Sequence, residues 1–108
     1  MKILLDECVP VQLRNALSGH EIHTATDPAW SGISNGQLLM RAELEGFDLI
    51  IVADKNMRYQ QDLSVRRLAI MELWTNHRPT LEKHFEYIRS AAERITPGEY
   101  IFLNVDMP

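Results

Sequence analysis

Three short segments of the chain are apolar at almost every position, without alternating polar residues. They comprise residues 3–5, 49–53 and 68–71. Strands that are covered on both faces have this pattern, as in a parallel sheet with helices on each side. Weaker strand signals at residues 21–24 and 100–103 bring the predicted number of strands to about five.

Helical signals separate these strands. Pro10 suits the first position of a helix that ends at Gly19. Ser34 stands three residues before Gln37 in the arrangement of a capping box, and it predicts the start of a second helix that ends near Gly46. The inward faces of these two helices are predicted to hold Leu13, Ala16 and Leu17 in the first, and Leu38, Leu39 and Ala42 in the second.

A longer amphipathic helix is predicted behind Pro79, because apolar residues at positions 81, 85, 88, 92 and 95 step by three or four until Pro97. A short helix is expected after Asn56. Strand and helix therefore alternate along the chain. This order predicts a three-layer α/β domain with a mostly parallel sheet of about five strands.

Length and composition narrow the function classes. The 108 residues favour a single domain over residues 1–108. With 11 Lys and Arg against 15 Asp and Glu, the formal net charge is −4, so the surface as a whole repels polyanions. A nucleic-acid site must then be a local basic patch or use a metal ion. The chain has no GxxxxGK[ST] and no GxGxxG motif, which disfavours nucleotide-cofactor enzymes.

The single cysteine, Cys8, excludes an internal disulfide and suits a reducing compartment. The first apolar run is far shorter than the about 20 residues that span a bilayer, and no signal-peptide cleavage region follows it. We therefore expect a cytoplasmic protein without a membrane partner.

Acidic residues follow two of the predicted core strands. Asp6 ends the first strand and Asp54 follows the third. If these strands are neighbours, about 4.8 Å apart, the two carboxylates project together at one edge of the sheet. Carboxylates at that distance repel each other unless a proton or a cation lies between them. Mg²⁺ or Mn²⁺ is the natural cation for such an all-oxygen site.

Structural interpretations stay open beside this one. An Asp at a strand end also caps a helix or closes a turn. Strand alternation is expected to point Glu7 away from Asp6 unless the chain has already turned. Cys8 is expected to be a small buried residue, since no His base is near it in sequence. Trp30 either stacks on a base or folds back over the core.

Several segments in order resemble a short bacterial PIN-like domain family. They are residues 3–10 (ILLDECVP), 19–24 (GHEIHT), 30–39 (WSGISNGQLL) and 54–56 (DKN), within a match over about residues 1–75. The resemblance implies a PIN-type, Rossmann-like nuclease fold, in which acids at the carboxyl edge of the sheet bind Mg²⁺ or Mn²⁺ for the cleavage of RNA. Many PIN proteins are toxins of toxin–antitoxin modules, neutralised by a small DNA-binding antitoxin.

The resemblance also assigns residues. Asp6 and Asp54 look like the catalytic, metal-binding acids. If the chain is an active nuclease, Asn35 is expected to be a neutral metal ligand, and Lys55 or Arg58 to contact an RNA phosphate. Basic residues after a strand are also often a solvated face.

This chain departs from its relatives in one motif. Where they commonly have Asp-Gly-Glu, it has Asn35, Gly36 and Gln37, so two carboxylates are replaced by amides. The alternative is therefore a catalytically attenuated PIN-like module that binds RNA or a protein partner. A third reading is a receiver-like phosphoacceptor. A homodimer or antitoxin interface is expected at Met57, Tyr59, Trp74, Phe85 and Tyr87.

Overall fold

The computed structural model describes residues 1–26, 28–30, 32–53 and 67–105. In these ranges five strands form one sheet, in the order β2-β1-β3-β4-β5 with every neighbouring pair parallel. The strands are β1 (Lys2–Leu5), β2 (Glu21–Thr24), β3 (Leu49–Val52), β4 (Ala69–Glu72) and β5 (Tyr100–Phe102). The predicted five-stranded parallel α/β architecture is confirmed.

Helices cover both faces of the sheet. On one face lies α1 (Asn35–Leu44), and on the other lie a 3-10 helix (Val11–Ala16), α2 (Arg78–Glu82) and α3 (Phe85–Arg94). Consecutive residues of β1 and β3 alternate between the two cores: Leu4 and Ile50 pack on the α1 side, whereas Leu5 and Ile51 pack on the other. Both faces are dry, which is why these strands carry no polar alternation.

The helix predicted after Pro10 is a 3-10 helix. Leu13 N–H donates to the carbonyl of Pro10, and Leu17 N–H donates to that of Arg14, which are the bonds three residues apart that define this helix. Leu13 and Ala16, three positions apart, therefore share its buried side. The predicted inward residues are buried as expected, and the helix ends at Ala16, before Gly19.

The long helix expected behind Pro79 is two helices. Between them, Lys83 N–H donates to the carbonyl of Thr80 and His84 N–H donates to that of Leu81, so the last turn of α2 tightens and ends. His84 Nδ1 also lies 2.9 Å from the Thr80 carbonyl oxygen. The short helix expected after Asn56 lies outside the described residues. No helix in the described ranges is both long enough and apolar enough to cross a bilayer.

The strand order creates a crevice between β1 and β3. The chain leaves β1 toward β2 and leaves β3 toward β4, on opposite sides. In open α/β sheets, ligands bind outside the carboxyl ends of the strands at this switch in direction. Asp6 N–H donates to the Ile51 carbonyl at 3.0 Å, which extends the β1–β3 ladder to the edge of the crevice. The predicted neighbour relation between the first and third strands is confirmed.

Candidate metal centre

A cavity of about 470 Å³ opens at the carboxyl ends of β1 and β3, where the chain direction switches. We call it the acid cavity, because two carboxylates line it. Its lining residues are Asp6, Glu7, Cys8, Ala25, Trp30, Gly32, Ile33, Asn35, Leu38 and Ala53.

A tight turn brings both carboxylates to the acid cavity. Directly after β1, the carbonyl of Asp6 accepts from Val9 N–H at 3.0 Å, so the chain reverses and strand alternation stops. The chain has thus already turned at Glu7, which is the case in which Glu7 was not expected to point away from Asp6, and both residues line one cavity. Asp6 is partly buried and Glu7 is exposed.

The start of α1 supplies Asn35, a third oxygen donor. Ser34 is the N-cap: its Oγ accepts from Gln37 N–H at 3.2 Å, and Gln37 Oε1 accepts from Ser34 N–H at 3.1 Å. The predicted capping box is confirmed. The Gln37 side chain is therefore engaged in the cap, whereas Asn35 lines the acid cavity.

Cys8 lies against the Asp6 carboxylate. Its Sγ donates to Asp6 Oδ2 at 3.4 Å. Burial raises the pKa of the Cys8 thiol, a backbone hydrogen bond from Ala53 works against this, and the Asp6 charge and hydrogen bond raise the pKa further. The thiol therefore stays protonated at neutral pH and is a poor nucleophile and metal ligand. The donors left to the cavity are oxygens, which suits a hard divalent cation.

Three predicted site residues, Asp54, Lys55 and Arg58, lie outside the described residues. Ala53, the residue before Asp54, lines the acid cavity. Over the ranges that the structure describes, no group of three or more His, Cys, Asp or Glu side chains is placed to hold a metal ion. Of the predicted site residues, Asp6 and Asn35 are the two that the described ranges place in the lining of one cavity.

Glu72 is a further acid at the carboxyl edge of the sheet, and the predicted site did not include it. It ends β4 in register with Val52 and is fully buried, and Tyr100 Oη donates to its Oε1 at 2.6 Å. The signal in the sequence was an acid directly after the apolar run 68–71. Its Tyr100 partner is 28 residues away in the chain, which no local pattern indicates.

The predicted interface aromatics are only partly exposed. Trp74 and Phe85 pack against the core on the side of α3, and Tyr87 is 38% exposed. Met57 and Tyr59 lie outside the described residues. Trp74 meets the His84 ring edge-on and the Tyr87 ring at a tilt, and the interface stays a prediction.

Comparison of the chain with models of known protein families, with curated proteins and with solved structures finds no match. The function of the chain is therefore inferred from the residues and geometry of the site.

Proposed function

We propose that this chain is a metal-dependent ribonuclease of PIN-like type. The observation that carries the proposal is the position of Asp6, Glu7 and Asn35 in one cavity at the topological switch point of a parallel sheet. Asp54 follows Ala53, a lining residue of the same cavity, and is the second carboxylate of the proposed site. Lys55 and Arg58 are proposed to contact phosphates.

The oxygen donors fit Mg²⁺ or Mn²⁺. Asp6 and Asp54 would hold the cation, with Asn35 as a neutral ligand; when bound, such an ion lowers the pKa of a coordinated water and neutralises charge on a phosphate. Asp6 is anchored at the end of β1 and Asn35 at the start of α1, so both donors are fixed by rigid elements. Glu7, which is exposed, adds negative charge to the lining of the acid cavity.

Cleavage of a fluorescently labelled single-stranded RNA tests the proposal. With Mg²⁺ or Mn²⁺ the protein is expected to cut the RNA, and Asp6→Asn and Asp54→Asn are each expected to lower the rate by 10²-fold or more. Glu93→Gln, an exposed charge change on α3, is the matched control and should cut like wild type. Cleavage that persists in Asp6→Asn, or in excess EDTA, would contradict a metal centre at this site.

A catalytically attenuated PIN-like module is the second candidate. It is favoured by the Asn35 amide in the acid cavity and by the engagement of Gln37 in the capping box. If the protein binds metal without cutting RNA, Asn35→Asp is expected to tighten metal binding and to raise cleavage, because it adds a charged ligand. Gln37→Glu is its control and should change the metal affinity little, since that side chain bonds Ser34 N–H.

One feature counts against the receiver-like interpretation. A receiver-like phosphoacceptor needs a lysine at the end of its last strand, but β5 is followed by Leu103 and Asn104.

If the chain is the toxin of a toxin–antitoxin module, a small DNA-binding antitoxin is its proposed partner in the cytoplasm. Co-expression with the product of the adjacent gene tests it: a stable complex that suppresses RNA cleavage is the expected result.

A further inference from the structure

A second cavity lies beside the acid cavity and has the opposite charge. We call it the basic cleft; it has a volume of about 620 Å³ and is lined by Lys2, Arg14, Ile22, His23, Thr24, Thr26, Ala29, Trp30, Arg41, Glu45 and Phe47. The described lining residues include three cationic side chains and one carboxylate, in a chain whose formal net charge is −4. Such a local excess of positive charge on an acidic protein marks a site for an anionic ligand.

Among the described residues that line the basic cleft, the carboxylate of Glu45 is paired with a cation: its Oε2 accepts from Arg41 Nε at 2.6 Å. Beside the cleft, Glu21 Oε2 lies 2.5 Å from Nε2 of the lining residue His23. The positive excess of the described lining therefore comes from Lys2 and Arg14. The Lys2 ammonium is held in place by the Glu45 carbonyl at 2.7 Å and lies 4.4 Å from the centre of the Phe47 ring. Arg14 is exposed on the 3-10 helix at the opposite side of β1 and β2 from α1.

Aromatic rings line the same cleft. The Arg41 guanidinium lies 4.4 Å from the centre of the Trp30 ring, and Trp30 meets Phe47 edge-on at 6.1 Å. Cationic side chains interleaved with aromatic rings are the composition of surfaces that bind single strands, where the cations meet phosphates and the rings stack on bases.

Trp30 lines both cavities and is therefore the wall that they share. We propose that the basic cleft binds single-stranded RNA on one side of the scissile phosphate, with Lys2 and Arg14 on the backbone and Trp30 on a base. The choice of ligand rests on the proposed ribonuclease function. The evidence for the site itself is the charge and the aromatic rings of the cleft. The proposed contacts are made by residues other than Lys55 and Arg58.

Binding without cleavage tests this inference. Fluorescence anisotropy of a labelled oligouridylate of about 10 nucleotides is measured in EDTA, so that neither metal nor catalysis is needed. Arg14→Glu is expected to weaken binding by about 10-fold and to lower the slope of log affinity against log salt by roughly 0.7, the loss of one phosphate contact. Arg94→Glu, the same charge change in the last turn of α3, lines neither cavity and is the control.

The aromatic contact has a different signature. Trp30→Ala is expected to weaken binding at least about 5-fold with the salt slope unchanged, because stacking releases no counterions. Its melting temperature shows whether the fold persists. Equal losses in Arg14→Glu and Arg94→Glu, or uridine monophosphate binding as tightly as the oligonucleotide, would overturn the inference.

The two proposals fail separately. RNA binding that needs Arg14 but is never followed by metal-dependent cleavage supports the basic cleft and counts against the nuclease. Cleavage that needs Asp6 while Arg14→Glu binds RNA like Arg94→Glu supports the nuclease and removes the cleft from its substrate path.

Discussion

At the residue scale, the Asp6 carboxylate and the Cys8 thiol form a hydrogen-bonded pair at the mouth of the acid cavity. The thiol is therefore a reporter of the charge at Asp6. Burial is the largest cause of its raised pKa, and the Asp6 charge and hydrogen bond add to it. Part of the rise should accordingly vanish with the Asp6 charge, while the burial part stays.

We predict that Asp6→Asn lowers the pKa of Cys8 in metal-free protein, as followed by the ultraviolet absorbance of the thiolate during a pH titration. Glu7→Gln, a charge change on the same turn, is the control and should have the smaller effect, because Cys8 bonds Asp6. A Cys8 pKa that Asp6→Asn leaves unchanged would show that the pair is not formed in solution.

The same pKa shift has a consequence for stability. The Cys8 pKa is higher in the folded than in the unfolded chain, so the folded chain holds its proton longer as pH rises. Its contribution to the free energy of unfolding is complete below the unfolded-state pKa and is lost as pH rises through the folded-state pKa. Cys8→Ala should flatten the alkaline loss of stability in urea titrations; an equally steep loss in both proteins would contradict this.

The Tyr100 hydroxyl stabilises the buried end of β4. Tyr100→Phe removes the donor to Glu72 and leaves a fully buried carboxyl group with one partner fewer, which is expected to cost about 1–3 kcal/mol of unfolding free energy. Urea unfolding measures it. Tyr87→Phe on the partly exposed face of α3 is the matched control and should change stability by less than about 0.5 kcal/mol.

Residues of the site were predictable where the signal was local. Asp6 was predicted because it ends an apolar strand, whereas Asn35 was predicted because it stands where the resembled family has an acid. The roles of Glu7 and Glu72 were not predictable. One depends on a turn that begins immediately after β1, and the other on a hydroxyl from β5, which only the folded sheet brings alongside β4.

At the scale of elements, α1 both covers the sheet and presents Asn35, so its first turn links stability to the site. Ser34→Ala removes one half of the capping box and is expected to cost about 1 kcal/mol in chemical unfolding. Ser90→Ala, at an exposed position within α3, is the control and should be neutral or slightly stabilising, because alanine is the better helix former. Similar destabilisation by both changes would argue against the cap.

Element types were predictable where one physical cause dominates. Double-sided burial produced the continuous apolar runs of β1, β3 and β4, and the spacing from Ser34 to Gln37 located the start of α1. The 3-10 geometry after Pro10 and the break at His84 were not predictable from periodicity. At both places a carbonyl accepts from the N–H three residues later, as in a 3-10 helix, rather than from the N–H four residues later, as in an α-helix. Packing decides between these two similar geometries.

At the scale of the whole molecule, acidic and basic side chains line two separate, neighbouring cavities. Asp6 and Glu7 line the acid cavity at the switch point, while Lys2, Arg14 and Arg41 line the basic cleft beside the edge strand β2. If the chain acts on RNA as proposed, a local basic surface is needed, because the net charge of −4 opposes the binding of a polyanion elsewhere on the protein.

The stability of the whole fold should report cation binding. A ligand that binds only the native state raises its stability by mass action, so Mn²⁺ or Mg²⁺ at about ten times its Kd should add about 1.4 kcal/mol and raise Tm by roughly 5 °C. Asp6→Asn should abolish that rise, whereas Glu93→Gln, on α3, should keep it.

The metal-free proteins then separate a ligand from a structural aspartate. If Asp6 is a ligand held near Asp54, Asp6→Asn relieves repulsion and leaves Tm unchanged or higher without metal. If the Asp6 carboxylate is structural instead, accepting the hydrogen bond of the Cys8 thiol, the same change should cost up to about 1 kcal/mol with or without metal. Thermal unfolding of the two proteins, each with EDTA and with Mn²⁺, gives four melting temperatures. A cost that is equal in both conditions would remove Asp6 from the proposed metal centre, because a loss that metal does not change comes from contacts within the protein.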